Sequence, residues 1–143
     1  MDYLTDTTFL IDLWRERDEG GPASVFAANH SEEIVVIPWI AKAEFLRGAF
    51  VAKQGHAGEV FLGCFQTVWA GELTLRNYAE IYGELRACNK MIGPHDLWIA
   101  ATARELGLPL LTRNVNEFRM VSDLKVVNYA GDGGAGFARD YRP

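Results

Sequence analysis

Asp2-Tyr-Leu-Thr-Asp6-Thr-Thr-Phe-Leu-Ile-Asp12 opens the chain with a short apolar strand that runs without a linker into an amphipathic helix. Asp6 falls at the junction. In open α/β sheets ligands bind outside the carboxyl ends of the strands, so a carboxylate at that point is placed for cation or phosphate chemistry. It is equally placed to cap the helix, because Asp at such a boundary accepts the orphan N–H bonds of the first turn. The stretch by itself leaves both readings open. Carboxylates at equivalent positions later in the chain favour the first.

Three such positions follow. Ile34-Val-Val-Ile37 is apolar and β-branched on both faces, the pattern of a buried parallel strand, and Pro38 ends it. The helix expected from Trp39 to Lys53 carries Glu44 on the edge of its apolar stripe. Further on, Pro94 suits a first helical turn and Gly107 a helix end, and Asp96 heads the packed face of the Ala-rich helix between them. Leu108 to Thr112 reads as another buried strand, and the polar turn Asn114-Val-Asn-Glu117 lies just past its end. Each acid has a plain structural alternative: a solvated helix surface for Glu44, complementarity to the helix dipole for Asp96.

The intervening segments complete a single alternating domain. Ala23 to Asn29 predicts a short helix. Val60 to Trp69 predicts a helix with Phe61, Phe65, Val68 and Trp69 turned to the core or to a subunit interface, and Glu72 to Leu75 a strand. Asn77 and Glu80 have the spacing of a capping box opening a helix through Leu85 and Cys88. Lys125 to Tyr129 predicts the last strand, with a flexible glycine-rich tail over residues 130–143. The fold class is therefore α/β: a three-layer α/β/α sandwich around a mostly parallel sheet of four to five strands. Right-handed crossovers put every strand's carboxyl end on one edge, where Asp6, Glu44, Asp96 and the Asn114–Glu117 turn converge.

Composition narrows the function. A length of 143 residues, 49% of them hydrophobic and 23% charged, is that of one globular domain. A net charge of −5 argues against a non-specific DNA coat but not against a nuclease with few, local phosphate contacts. Cys64 and Cys88 read as reduced, buried hydrophobes, and His30, His56 and His95 form no zinc motif. No apolar run reaches the roughly 18 residues that span a bilayer. Nor does the N-terminus resemble a signal peptide, so the expected compartment is the cytoplasm with no membrane partner. Gathering carboxylates has a cost: at about 5 Å and an effective dielectric near 20, each like pair repels by roughly 3 kcal/mol. Mg²⁺ or Mn²⁺, hard cations that prefer oxygen ligands, would offset it.

Four blocks carry a resemblance: Leu4-Thr-Asp6-Thr-Thr-Phe-Leu-Ile-Asp-Leu13, Ala43-Glu44-Phe-Leu-Arg-Gly48, Ile92-Gly-Pro-His-Asp96-Leu-Trp-Ile-Ala-Ala101 and Leu111-Thr-Arg-Asn114-Val-Asn-Glu117-Phe118. In order and spacing they resemble the signature blocks of PIN-domain nucleases, specifically VapC-type toxins of type II toxin–antitoxin systems. The resemblance covers residues 1–129. It implies a PIN-like domain and a metal-dependent endoribonuclease that leaves 5′-phosphate and 3′-hydroxyl ends. Asp6, Glu44 and Asp96 would form the core acidic triad and Glu117 the fourth acid, all four as catalytic groups and metal ligands. Thr7, Thr112 and Asn114 match supporting positions. It also implies a homodimer and a small antitoxin partner lying across the groove, for which Trp14, Trp39, Phe50, Phe61 and Trp69 are candidate anchors. Thr8 and His95 depart from the pattern, which usually has Asn at the first position and in many members at the second. Lys42, Arg47, Arg113 and Arg119 stand near the acids in sequence and are the candidate RNA-phosphate contacts. The alternatives are a PIN-fold scaffold without catalysis that binds RNA or protein, and a phosphatase or phosphoacceptor with Asp6 as nucleophile. The latter ordinarily needs a second Asp beside the first or a lysine after a later strand, and neither is evident.

Overall fold

Leu4, with none of its surface exposed, pairs with Val36 on one side and Leu110 on the other, which puts the first strand in the middle of the sheet. The structure, a computed structural model, describes residues 2–17 and 20–131. The glycine-rich tail expected over 130–143 lies, from residue 132 onward, outside the described residues. In chain order the elements are β1 (Tyr3–Thr5), α1 (Thr7–Arg15), α2 (Pro22–Asn29), β2 (Val35–Pro38), α3 (Trp39–Val51) and α4 (Gly55–Leu62). There follow β3 (Gln66–Val68), α5 (Glu72–Ala87), α6 (Pro94–Leu106), β4 (Leu110–Leu111), α7 (Val115–Phe118) and β5 (Val126–Val127). The strands run in the order β3-β2-β1-β4-β5, every neighbouring pair parallel.

Strand alternation divides the core in two. Leu4, Val36 and Leu110 face one apolar cluster, with Phe45 of α3, Ile81 and Leu85 of α5, and Ile99 and Ala103 of α6. Their chain neighbours Tyr3 and Leu111 face the other, with Phe9 of α1, Ala23 and Phe26 of α2, and Tyr129. Successive residues on a strand point to opposite faces, so two clusters across one sheet make the three-layer α/β/α arrangement expected from the sequence.

α6 begins with Pro94 at its first position and ends at Gly107, whose φ of +65° is the left-handed conformation that favours glycine. Between them Ala100, Ala101 and Ala103 are buried, small enough to bring the helix close against its neighbours.

Four local expectations are corrected. Glu72–Leu75 is not a strand but the first turn of α5. Gly71 precedes that helix in an extended conformation, and its N–H donates to the Thr74 hydroxyl at 2.9 Å. The same hydroxyl donates to Glu105 of α6 at 2.5 Å. Helix therefore starts five residues before the Asn77–Glu80 pair, which opens nothing; Asn77 instead donates to the Leu73 carbonyl one turn back. The third strand, at one edge of the sheet, lies inside the stretch expected to be helical, because α4 stops at Leu62 and Gln66–Val68 pairs with β2. Trp69 accordingly stands 69% exposed rather than in the core. Cys64 and Cys88 are both exposed, one in the turn after α4 and the other capping α5.

Candidate active centre

Asp6 takes the capping role while standing at the carboxyl edge of the sheet. It leaves β1 in an extended conformation and caps α1, its Oδ1 accepting the Phe9 N–H at 3.3 Å and the Thr8 hydroxyl at 2.6 Å. Its Oδ2 accepts the Thr112 hydroxyl from the end of β4 at 2.5 Å. The two hydroxyls are fixed in turn: Thr112 accepts the Asn114 N–H at 2.8 Å and Thr8 accepts the Arg113 N–H at 3.2 Å. Asp6 is only 2% exposed, and burial outweighs these hydrogen bonds, pushing its carboxyl up to about 6 from an ordinary 3.8.

Glu44 reaches the same edge from α3. Its Oε1 accepts the Thr7 hydroxyl at 2.7 Å, and its Oε2 lies 3.0 Å from Nδ1 of His95 in the first turn of α6. Asp96, the next residue along α6, is half-buried and pushed up to about 7. Burial is the first cause. A hydrogen bond with Glu117 and the negative charges of Asp6, Glu117 and Glu44 are the others. Asp96 thus senses each of the other three acids, and the fold brings together all four sequence-predicted positions from α1, α3, α6 and α7.

Among the described residues no three His, Cys, Asp or Glu side chains stand together as a group ready to hold a metal ion. Thr8, Thr112 and Phe9 hold the oxygens of Asp6, Thr7 and His95 those of Glu44, and Asp96 pairs with Glu117. The donor chemistry nonetheless fits a hard divalent cation, since the site is made of carboxylate and hydroxyl oxygens and carries more negative charge than it neutralises.

Of the supporting residues, Thr7 and Thr112 bond the acids directly and Asn114 contributes its backbone N–H. The candidate phosphate contacts divide. Arg47 and Arg119 are exposed, and Lys42 donates to Thr67 of β3 at 3.3 Å. Arg113 is turned inward: its Nε lies 2.7 Å from Oδ2 of the fully buried Asp12 and donates to the Tyr129 hydroxyl at 3.1 Å, and that hydroxyl donates to Asp12. This three-residue tie between α1, the β4–α7 turn and the end of β5 was missed from sequence. Its only sequence signal is Asp12 itself, a carboxylate on the apolar face of α1. Between α1 and α3 runs a groove of about 270 Å³, floored by Ile11, Trp14 and Phe45, with Glu44 in its wall.

A family model described as PIN domain matches residues 3–124. Ribonuclease VapC1 of Methanocaldococcus jannaschii is 30% identical over 129 residues, covering 88% of this chain and 85% of the relative. Ribonuclease VapC1 of Haemophilus influenzae strain R2866 is 29% identical over 133 residues, covering 87% and 96%. Among solved structures, VapBC-1 from nontypeable Haemophilus influenzae superimposes with a TM-score of 0.79 at 27% identity, covering 92% of this chain and all (100%) of that one. Since the matched stretch contains Asp6, Glu44, Asp96 and Glu117 and the strand order that brings them together, this chain belongs to the PIN domain family and is of VapC type.

Proposed function

We propose that the protein is a Mg²⁺- or Mn²⁺-dependent endoribonuclease, the toxin of a toxin–antitoxin pair, cutting RNA phosphodiester bonds by in-line attack of water. The observation that carries this reading is Asp96, a half-buried carboxyl held near three other acids at the carboxyl edge of a parallel sheet. Fold stability alone gives no reason to gather four such groups. The curated relatives are named as ribonucleases, which supports RNA as the substrate class.

Asp6, Glu44, Asp96 and Glu117 are the residues that would hold the cation. When bound, it supplies Lewis-acid chemistry, lowering the pKa of water and stabilising charge on the phosphate and the leaving oxygen. Around it the chain's own groups orient the carboxylates: Thr8 and Thr112 fix Asp6, and Thr7 and His95 fix Glu44. Exposed Arg47 and Arg119, with Lys42, remain the candidate phosphate contacts. Arg113, committed to Asp12, supports the turn that carries Thr112 and Asn114. The solved neighbours are toxin–antitoxin complexes, and the apolar groove that ends at Glu44 suits a peptide segment of an antitoxin. Phe50 and Trp69, exposed at 59% and 69%, are the remaining anchor candidates for that partner or for a second copy in a homodimer, since Trp14, Trp39 and Phe61 pack against the core. No helix among the described residues is long and apolar enough to cross a membrane.

The test is cleavage of a mixed pool of structured RNAs by the wild type and by Asp6→Asn with Mg²⁺, with Mn²⁺ and with EDTA. Cuts that require the metal and disappear in the variant are expected. A wild type that binds neither ion by calorimetry and cuts nothing would overturn the catalytic reading in favour of a scaffold.

A further inference from the structure

Each oxygen of Glu44 meets a side chain from a different helix. The Thr7 hydroxyl, at the first position of α1, donates to Oε1 at 2.7 Å, and Nδ1 of His95, in the first turn of α6, lies 3.0 Å from Oε2. A carboxylate oxygen accepts, so a hydrogen bond across this contact needs its hydrogen on Nδ1 of the ring. The Glu44 side chain is 20% exposed and the His95 ring 45%, so the bond sits at the lip of the acidic centre rather than in bulk water.

This places His95 in a role that Glu44 requires. A glutamate has three side-chain torsions, and Glu44 projects from the middle of a helix close enough to Asp96 for the two charges to oppose each other. One hydroxyl on Oε1 leaves the carboxylate free to rotate about that bond. A second donor on Oε2 removes the freedom and sets the plane of the group. Asp6 achieves the same with Thr8 and Phe9 on one oxygen and Thr112 on the other. We propose that His95 is a positioning residue for Glu44: together with Thr7 it fixes the α3 carboxylate by both oxygens, and it acts on divalent-ion binding and RNA cleavage only through Glu44. The proposal rests on the nuclease reading above for its effect on cleavage, and on geometry alone for the bond itself.

His95→Ala, His95→Asn, Glu44→Ala and the double variant His95→Ala/Glu44→Ala separate the possibilities. Loss of an outer partner of this kind costs about 10- to 100-fold in metal affinity or activity. That loss is expected for His95→Ala in kcat and in Mn²⁺ affinity by calorimetry, with KM nearly unchanged. His95→Asn, whose side-chain N–H stands where Nδ1–H stands, is expected to recover most of it. In the Glu44→Ala background, removing His95 is expected to cost nothing further. An equal loss in both backgrounds, a rise in KM alone, or no loss in His95→Ala would overturn the proposal. Imidazole ¹⁵N spectra of the metal-free protein give a readout independent of cleavage. They are expected to show hydrogen on Nδ1 in the wild type and a changed ring signature in Glu44→Ala. A wild type that cuts no RNA but shows this signature would sink the nuclease reading and leave the positioning bond standing. A ring signature indifferent to Glu44→Ala would remove the bond whatever the activity.

Discussion

The Thr112 hydroxyl donates to Asp6 Oδ2 at 2.5 Å, joining two residues 106 positions apart at the ends of neighbouring parallel strands. It is buried, its acceptor is a carboxylate, and the same oxygen receives the Asn114 N–H, so it serves the centre and the turn behind it together.

Thr112→Val keeps the shape and removes the hydroxyl. A hydrogen bond to a charged group is worth about 1.5–3 kcal/mol, and the Asn114 N–H loses its acceptor as well. The variant is expected to unfold at lower urea concentration and to cleave RNA more slowly, whereas Thr112→Ser restores both. A fully active Thr112→Val would show that Asp6 needs no orienting partner on β4.

Stability of the metal-free protein is expected to fall as pH rises towards neutrality. Burial and neighbouring acids raise Asp6 to about 6 and Asp96 to about 7 from an ordinary 3.8. Between roughly pH 4 and 7 the folded protein therefore keeps protons that the unfolded chain has released. That advantage is full below the ordinary value and is lost as pH climbs through 7. Asp96→Asn has no such proton to lose. Its melting temperature is expected to exceed that of the wild type at pH 8, by roughly 1–3 kcal/mol of stability, and to match it near pH 4. Equal melting of the two proteins across this range would contradict the clustering of the acids.

Mg²⁺ or Mn²⁺ is expected to raise the melting temperature of the wild type at pH 8 but not that of Asp96→Asn. Binding to the folded state alone adds about 2.7 kcal/mol when the ion is at 100 times its dissociation constant. Scans with and without EDTA decide it, and stabilisation of both proteins alike would place the ion elsewhere.

Arg113→Ala is expected to act on stability rather than on RNA affinity. It takes the guanidinium from beside fully buried Asp12, and breaking such a pair typically costs about 3–5 kcal/mol. Tyr129→Phe removes a neutral donor to the same carboxylate and should cost less, about 1–3 kcal/mol. Equilibrium unfolding of both variants checks the order. A stable Arg113→Ala with a raised KM would return Arg113 to the phosphate contacts.

Much of this arrangement is legible in the sequence because it depends on position along single elements. Asp6 follows an apolar run and precedes an amphipathic helix, and Asp96 follows a proline at a helix start; each is recognisable without knowing its neighbours. Glu44 is legible only by resemblance, since an acid in mid-helix is ordinarily a surface residue. What stays hidden are relations across elements. Arg113 looks like a free cation until Asp12 and Tyr129 are seen beside it, and His95 looks like a mere departure from the pattern until Glu44 is. The third strand is hidden for a different reason. Three residues at a sheet edge, flanked by aromatics, leave no alternation to read, and Leu73 and Leu75 supply a false one in the first turn of α5.

The pairing of β1 with β4 has a temporal side. A ribosome delivers Asp6 first, then Glu44, then Asp96, but the hydroxyl that fixes Asp6 and the carboxyl that pairs with Asp96 arrive with residues 112 and 117. Until then β1 has only β2 beside it. A product of interrupted translation ending before Leu110 would carry three of the four acids but neither Thr112 to hold the second oxygen of Asp6 nor Glu117 to stand beside Asp96, so the centre is completed only once residues 112 and 117 are in place.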